Sequence, residues 1–491
     1  MNLFFKFRQI GIYITYIFII SLATACHKIE INEPILSDVS ELTQNSRYIL
    51  QDSVGLNCGT IASQDFLTER LGIKTYNLSS ITDKIFMVYF HVIRKSDGTG
   101  GLTTSQVNQV LSNLQIGMEQ TSICIVEKGR SFIDNNTFFS GNPDANFDNI
   151  VATNRQSNAI NVYLLPTGAI SFGKADGIPS NALVLSGSYV LTPVVAHEFG
   201  HCLGLFHTHR GTAGIELGGG PAQCPELVNG SNSSTCGDYV TDTPADPKQW
   251  SISSCAYIGT GTDANGAHYS PLTDNAMSYV LPSCLQSFTP LQIARMHTAI
   301  DNSAILRNAM SQITGPNIVC TTGTYSISNF PSGAAITWSV SGNINISGPT
   351  NNSTVSVAKI SDGPGSITAQ ITTSCGTISV TKSVIVGTGP MSVSYNSGIF
   401  VHRSITNCAN LQEGDMANWY EGDIQIEQPL DGTVTWTRVG GGVNAQITGS
   451  GRLYHIGMRS GQATYNLTIT NGCGSITKTI TFYTNNATAC P

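Results

Sequence analysis

Charged side chains are scarce in this 491-residue chain: Asp, Glu, Lys and Arg together make up 11%. The net charge is −7, which gives no electrostatic ground for a nucleic-acid partner. Long hydrophobic runs are also missing beyond the amino terminus. No later segment reaches the roughly 18 apolar residues needed to span a bilayer. What is abundant is glycine, at 49 residues, and cysteine, at 13. Hydrophobic residues reach 41%, enough to fill globular cores. This is the composition of an extracellular, β-rich, loop-rich chain, and the cysteines suit an oxidising compartment. The length predicts about three domains.

The amino terminus agrees. Lys6 and Arg8 precede an apolar run from Ile10 to Leu22, then Ala23-Thr24-Ala25-Cys26. Residues 1–25 read as a signal peptide. Two processing routes stay open. Cys26 after a small residue resembles a bacterial lipobox, although Ala23 stands where a Leu is usual. Ala23-Thr24-Ala25 also satisfies a cleavage site that would release a soluble protein. The lipid-modified Cys26 is favoured, because a cysteine there is otherwise unneeded. The expected location is the bacterial cell envelope, or the medium.

The chain is organised around His197-Glu198-Phe199-Gly200-His201-Cys202-Leu203-Gly204-Leu205-Phe206-His207. His197 and His201 are four residues apart, so a helix places them one turn apart on one face. Two such imidazoles can share one Zn²⁺. Glu198 beside the first ligand can act as general base on a water at the metal. Gly204 tolerates positive φ, which ends the helix and turns the chain back. His207 can then be the third ligand, with a fourth position left for water.

This pattern resembles the metzincin metalloproteases. Their second mark is a turn with a methionine under the zinc. Asn275-Ala276-Met277-Ser278-Tyr279 fits it, with Met277 70 residues after His207. Met277 would floor the metal site, and Tyr279 would reach the zinc or the oxyanion.

Upstream, residues 26–80 read as a pro-segment containing Cys58-Gly59-Thr60. The Cys58 thiolate could occupy the fourth zinc position and keep the enzyme latent. A disulfide partner or spare thiol fits the sequence equally well. Downstream, Cys236 to Pro244 offers oxygens at spacings that suit Ca²⁺ or a plain Asp-rich turn. Between these, Ile85–Ile93, Ser122–Glu127 and Ala159–Leu165 read as strands. Thr103 and Gln106 form a capping box before an amphipathic helix through Met118. Ile178–Leu191 is expected to supply an edge strand bordering the cleft. Thr289, Pro290 and Gln292 open another capped helix.

Over residues 55–300 the chain resembles the pappalysin family within the metzincins. Cys58-Gly59-Thr60, Val88 to Ile93, Ile160 to Tyr163 and His197 through Thr208 carry the likeness. So do Gly237-Asp238, Asp242-Thr243-Pro244, Asn275 through Tyr279 and Phe288-Thr289. The resemblance implies a zinc endopeptidase with a Cys58 latency switch. It also implies calcium held by Asp238, Thr243 and the Thr241 carbonyl. Arginine-preferring members carry an Asp just before the cysteine after the methionine turn. Here that position is Ser283, which cannot attract a cationic side chain. Cys255–Cys284 is the first pairing to consider in this loop-rich half.

The last third is a tandem repeat. Cys320 to Cys375 encloses Trp338, and Cys408 to Cys473 encloses Trp436, with a 98-residue period. The Cys…Trp…Cys order points to immunoglobulin-like β-sandwiches, each Trp packed on an inter-sheet disulfide. No cluster of aromatics or metal ligands names a ligand for them.

The expected fold is therefore α+β and multidomain. A metzincin-type domain at 81–310 has a twisted mixed sheet, a zinc helix and a loop-rich lower half. Two all-β sandwiches follow at 315–388 and 392–491. The expected function is a zinc-dependent endopeptidase acting on proteins or peptides. A surface adhesin with a vestigial protease domain is the alternative, opposed by the intact Glu198 and three histidines.

Overall fold

The computed structural model describes residues 58–60, 78, 81–212, 224–388, 393–395, 419–426, 432–442, 445–450, 453–459 and 462–483. The signal peptide, Cys26, most of segment 26–80 and Cys408 lie outside these residues. No helix among the described residues is long and apolar enough to cross a membrane.

The amino-terminal unit is built on a five-stranded sheet in the order β2-β1-β3-β5-β4. Its strands are β1 (Lys84–Arg94), β2 (Ile123–Asp134), β3 (Ile160–Leu164), β4 (Phe172–Ala175) and β5 (Ala182–Ser186). The first four in that order run parallel, and β4 is the antiparallel edge. The helices are α1 (Thr104–Met118), α2 (Asn136–Ser140), α3 (Phe147–Ala152), α4 (Val194–Cys202), α5 (Pro290–Asn302) and α6 (Ala304–Asn308).

Alternation along β1 assigns its two faces. Phe86, Val88, Phe90 and Val92 enter the core shared with α1 and α4, whereas Ile85 enters a second core. α1 starts where its capping box dictates. The Thr103 hydroxyl accepts from the Gln106 amide, and the Gln106 side chain accepts from the Thr103 amide. Such a box stabilises a helix by about 1 kcal/mol. α1 buries Val107, Val110, Leu114 and Met118. Its Gly117 meets α4 so closely that a Cβ there would lie 2.4 Å from the Ala196 Cβ. Thr289 and Gln292 form the matching box on α5, with Pro290 in its first turn.

The edge strand is not where the sequence places it. β5, within the Ile178–Leu191 segment, is internal, flanked by β3 and β4. The rim belongs to β4, whose four residues are too few to display a periodicity. β2 also runs seven residues past Glu127 to Asp134, because it follows β1 across a register shift at Val88/Tyr89.

After Asn308 the secondary structure of the described residues is all β. Four strands pair in the order β10-β11-β8-β6, and four in the order β7-β13-β12-β9. These are β6 (Gln312–Thr314), β7 (Ile318–Val319), β8 (Thr322–Ser328), β9 (Ala335–Gly342), β10 (Ile344–Ile346), β11 (Thr354–Lys359), β12 (Gly363–Thr373) and β13 (Gly376–Val386). Tyr325, Trp338, Val357 and Ile371 share their core with Ile85 and Cys124 of the first unit. A second pair of sheets follows, β14-β15-β18-β17 and β16-β19-β20. Its strands are β14 (Val393–Tyr395), β15 (Trp419–Ile426), β16 (Thr433–Gly440), β17 (Ala445–Ser450), β18 (Leu453–Arg459), β19 (Gln462–Asn471) and β20 (Gly474–Tyr483).

The repeat is visible in the pairing: Trp338 lies opposite Ala369, and Trp436 opposite Leu467. The expected disulfides within each sandwich are corrected. Cys375 bonds Cys124 on β2, and Cys320 bonds Cys473. Cys375 sits at the β12–β13 turn, while Cys320 follows β7, which pairs with the far end of β13. An 11-residue strand separates them, roughly 30 Å at about 3.3 Å per residue. A disulfide needs Cα atoms within about 7 Å. The Trp338 indole donates to the Asn352 carbonyl. Peptide mapping of the unreduced chain will recover Cys124 joined to Cys375 and Cys320 joined to Cys473. A peptide joining Cys320 to Cys375 would refute this arrangement.

Candidate metal centre and active site

The zinc motif begins on α4, which carries His197, Glu198 and His201, all fully buried. The helix ends at Cys202. Gly204 takes φ +97°, and a Cβ there would press to 2.7 Å on the Ala299 Cβ of α5. The chain turns back, and the Leu205 amide donates to the Gly200 carbonyl. His207 thereby returns to the other two histidines. Its Nε2 lies 3.1 Å from that of His197 and 2.9 Å from that of His201.

The opposite ring nitrogens settle the proton positions. His197 Nδ1 lies 2.7 Å from the Ala276 carbonyl, and His201 Nδ1 lies 2.8 Å from the Leu205 carbonyl. A carbonyl only accepts, so each Nδ1 is the protonated nitrogen and each Nε2 presents a lone pair. Converging lone pairs repel unless a cation stands among them. Tetrahedral zinc with bonds of about 2.05 Å keeps nitrogens roughly 3.3 Å apart, close to what is seen. The donor set therefore fits zinc.

The methionine turn lies beneath. Gly200 leaves room for it, since a Cβ there would sit 2.6 Å from the Met277 sulfur. The Thr208 amide donates to the Met277 carbonyl. The Tyr279 ring lies 4.7 Å from the His207 ring and 6.2 Å from that of His197.

Cys58 joins the cluster. Its sulfur and the three histidine nitrogens all lie within 4.8 Å of one another. Cys58 Sγ is 3.5 Å from both Glu198 Oε2 and His201 Nε2. The segment runs parallel to edge strand β4, with the Gly59 amide donating to the Gly173 carbonyl. The Tyr279 hydroxyl donates to the Cys58 carbonyl at 2.9 Å. Cys202 is no rival thiol, since burial pushes it up to about 12.

Three contributors escaped the sequence reading. The Thr60 hydroxyl donates to Glu198 Oε2 at 3.0 Å and accepts from the Ala175 amide. Gly173 makes room for the catalytic-motif carboxylate, for a Cβ would lie 2.4 Å from Glu198 Oε1. Asp246 Oδ2 accepts from the Thr208 and Ser278 hydroxyls, each at 2.7 Å. It therefore ties the residue after His207 to the residue before Tyr279. A hydroxyl two positions after a cysteine, or one Asp among many, carries no signal in a single sequence.

Asp238 and Thr243 also come together, the Thr243 hydroxyl donating to the Asp238 carboxylate at 3.0 Å. Thr241 is exposed. Glu226, unforeseen from sequence, is buried beside Gly237. Burial raises both carboxyls above their usual range, Glu226 further through the charge of Asp238. Cys255 bonds Cys284, the residue after Ser283, and Cys224 bonds Cys236.

A helix carrying two histidines and a glutamate, closed by a third histidine over a methionine turn, places this unit among the zinc metalloendopeptidases. The family model for pregnancy-associated plasma protein-A, peptidase M43, matches residues 176–301. Human pappalysin-1 is 37% identical over 132 residues, covering 24% of this chain and 8% of that protein. An extracellular metalloprotease of Colletotrichum graminicola is 27% identical over 237 residues, covering 43% of this chain and 74% of that protein. The chain thus spans less than a tenth of pappalysin-1 and about three quarters of the fungal protein. Among solved structures, metalloproteinase-II from Bacteroides fragilis aligns at 16% identity and TM-score 0.21, covering 31% of this chain and 46% of that one. Residues 176–301 of the chain are thus similar to the metalloprotease domain of the pappalysin family.

Proposed function

We propose that the chain is an exported zinc endopeptidase held latent by its own amino-terminal segment. The observation that carries this is the meeting of three histidine Nε2 atoms beside the buried carboxylate of Glu198. A zinc ion held by His197, His201 and His207 supplies Lewis-acid activation of water and of a peptide carbonyl. Glu198 takes the proton of the attacking water and delivers it to the leaving amine. Tyr279 donates to the carbonyl oxygen as negative charge develops there. Its hydrogen bond to the Cys58 carbonyl supports that role, for it already serves a peptide oxygen in the cleft. Export is supported by four disulfides among the described residues and by relatives named extracellular metalloproteases.

Latency rests on two contacts. The Cys58 sulfur lies where its thiolate would be a fourth ligand to a zinc held by the histidines, and the Thr60 hydroxyl donates to the base. While Cys58 to Thr60 lie along β4, substrate cannot reach Glu198. A calcium ion at Asp238, Thr243 and the Thr241 carbonyl, with Glu226 added, would offset the cost of two buried carboxylates. The two modules after residue 315 are read as immunoglobulin-like sandwiches that hold or space the protease.

Three outcomes test this reading. Glu198→Ala will lower cleavage of a denatured protein by about 10²- to 10⁴-fold while zinc stays at one per chain. Residual wild-type cleavage would reject the base. Cys58→Ala will abolish the lag before activity appears, and Thr60→Ala will shorten it; an unchanged lag in both would reject the latch. Added Ca²⁺ will raise the melting temperature by about 3 °C or more in wild type but not in Asp238→Asn. Equal melting curves with and without calcium would remove that site.

A further inference from the structure

Lys248 stands in the loop between the zinc motif and the methionine turn, and nothing in the motif requires it. Its Nζ lies 4.2 Å from the centroid of the Tyr279 ring. That places an ammonium within the range of a cation–π contact. The placement is built, not incidental. Lys248 takes a left-handed φ of +60°, which a non-glycine residue adopts only under local constraint. The constraint is visible: its amide donates to Asp246 Oδ1 at 2.7 Å. Asp246 is itself buried, and its other oxygen is held by the hydroxyls of Thr208 and Ser278. One carboxylate therefore fixes three points: the residue after the third zinc ligand, the residue before Tyr279, and the backbone that aims Lys248.

Rings also lie against the phenol. His209 lies 4.3 Å from the Tyr279 ring and stacks on His207 at 4.9 Å. Tyr279 is 7% exposed. Its hydroxyl already donates to a peptide carbonyl, the one at Cys58.

We propose that Lys248 is a positioning residue for Tyr279, its ammonium set against the phenol ring so that the hydroxyl meets a scissile carbonyl as a strengthened donor. This rests on the endopeptidase reading. A cation against the ring withdraws electron density from the oxygen and strengthens the O–H as a donor. It also restricts rotation of the ring about its own axis. The first effect grows as negative charge builds on the carbonyl oxygen. It therefore acts on the transition state more than on bound substrate. Asp246 acts one step further back, by holding the Lys248 backbone.

The test uses the full chain and a fluorogenic peptide. Lys248→Met keeps the methylene stem and removes the charge. It should lower kcat about tenfold, with KM within twofold and zinc still at one per chain. Lys248→Arg keeps a cation that can face the ring, and should retain kcat within about threefold. In a Tyr279→Phe background, Lys248→Met should change kcat less than twofold, since the hydroxyl it serves is gone. A Lys248→Met kcat equal to wild type overturns the proposal. So does a tenfold loss that persists in the Tyr279→Phe background, which would make the two residues independent. A second measurement needs no activity. With ¹³C-labelled lysine, the Lys248 ε-methylene should show an upfield ring-current shift that Tyr279→Leu abolishes. A chain without cleavage but with this shift would sink the endopeptidase reading and leave the contact standing. A chain with cleavage but no shift would sink the proposal alone.

Discussion

Three imidazole nitrogens meet at one spot, at least two of them with lone pairs turned inward, and the unit is organised to enforce this meeting. Carbonyls of Ala276 and Leu205 hold the protons of His197 and His201 on the far sides of their rings. The turn at Gly204 brings back His207, and α5 packs directly behind that turn. The methionine turn lies under α4 at Gly200, closer than any side chain on that residue would allow. A protein gains nothing from such convergence without a cation to accept it. The arrangement therefore argues for a metal more strongly than the residue types alone.

The region around that centre is loop-rich, and its order comes from polar bonds more than from apolar area. Asp246, Asp242 and Gln292 illustrate this. Asp242 accepts from the Thr289 hydroxyl and the Leu291 amide, at the start of α5. Gln292 both completes that helix cap and bonds Asn275 at the methionine turn. Buried groups satisfied in this way fix one conformation, because each alternative would leave a donor or acceptor unpaired. The site's precision is thus inherited from a network that spans the loops between α4 and α5.

The two repeats are joined to what precedes them by the same device. Cys375 and Cys473 occupy equivalent hairpin turns, one repeat period apart. The first reaches Cys124 of the amino-terminal sheet, and the second reaches Cys320 of the preceding module. Each module is therefore bolted by its hairpin tip to the unit before it. Ile85 and Cys124 of the amino-terminal unit also enter the first module's core, so covalent and apolar contacts act at the same boundary.

Much of this was legible in the residues. Helical spacing put His197 and His201 on one face, glycine marked the turn, and capping boxes located two helices. The repeat period placed two tryptophans on equivalent strands. Local rules sufficed there because spacing along a helix or strand is spacing in space. They failed where partners are distant in sequence. The cleft edge went to the four residues of β4, which show no periodicity. Cys375 and Cys473 paired between units, and the length of β13 holds Cys320 and Cys375 far apart. Thr60 and Asp246 act only through groups brought to them from elsewhere in the chain. The sequence by itself determined the spacing of the three histidines and the helix that presents two of them, since a few φ and ψ angles fix both. Only the tertiary structure decided what reaches them, because those contacts join residues 32 to 221 apart in sequence.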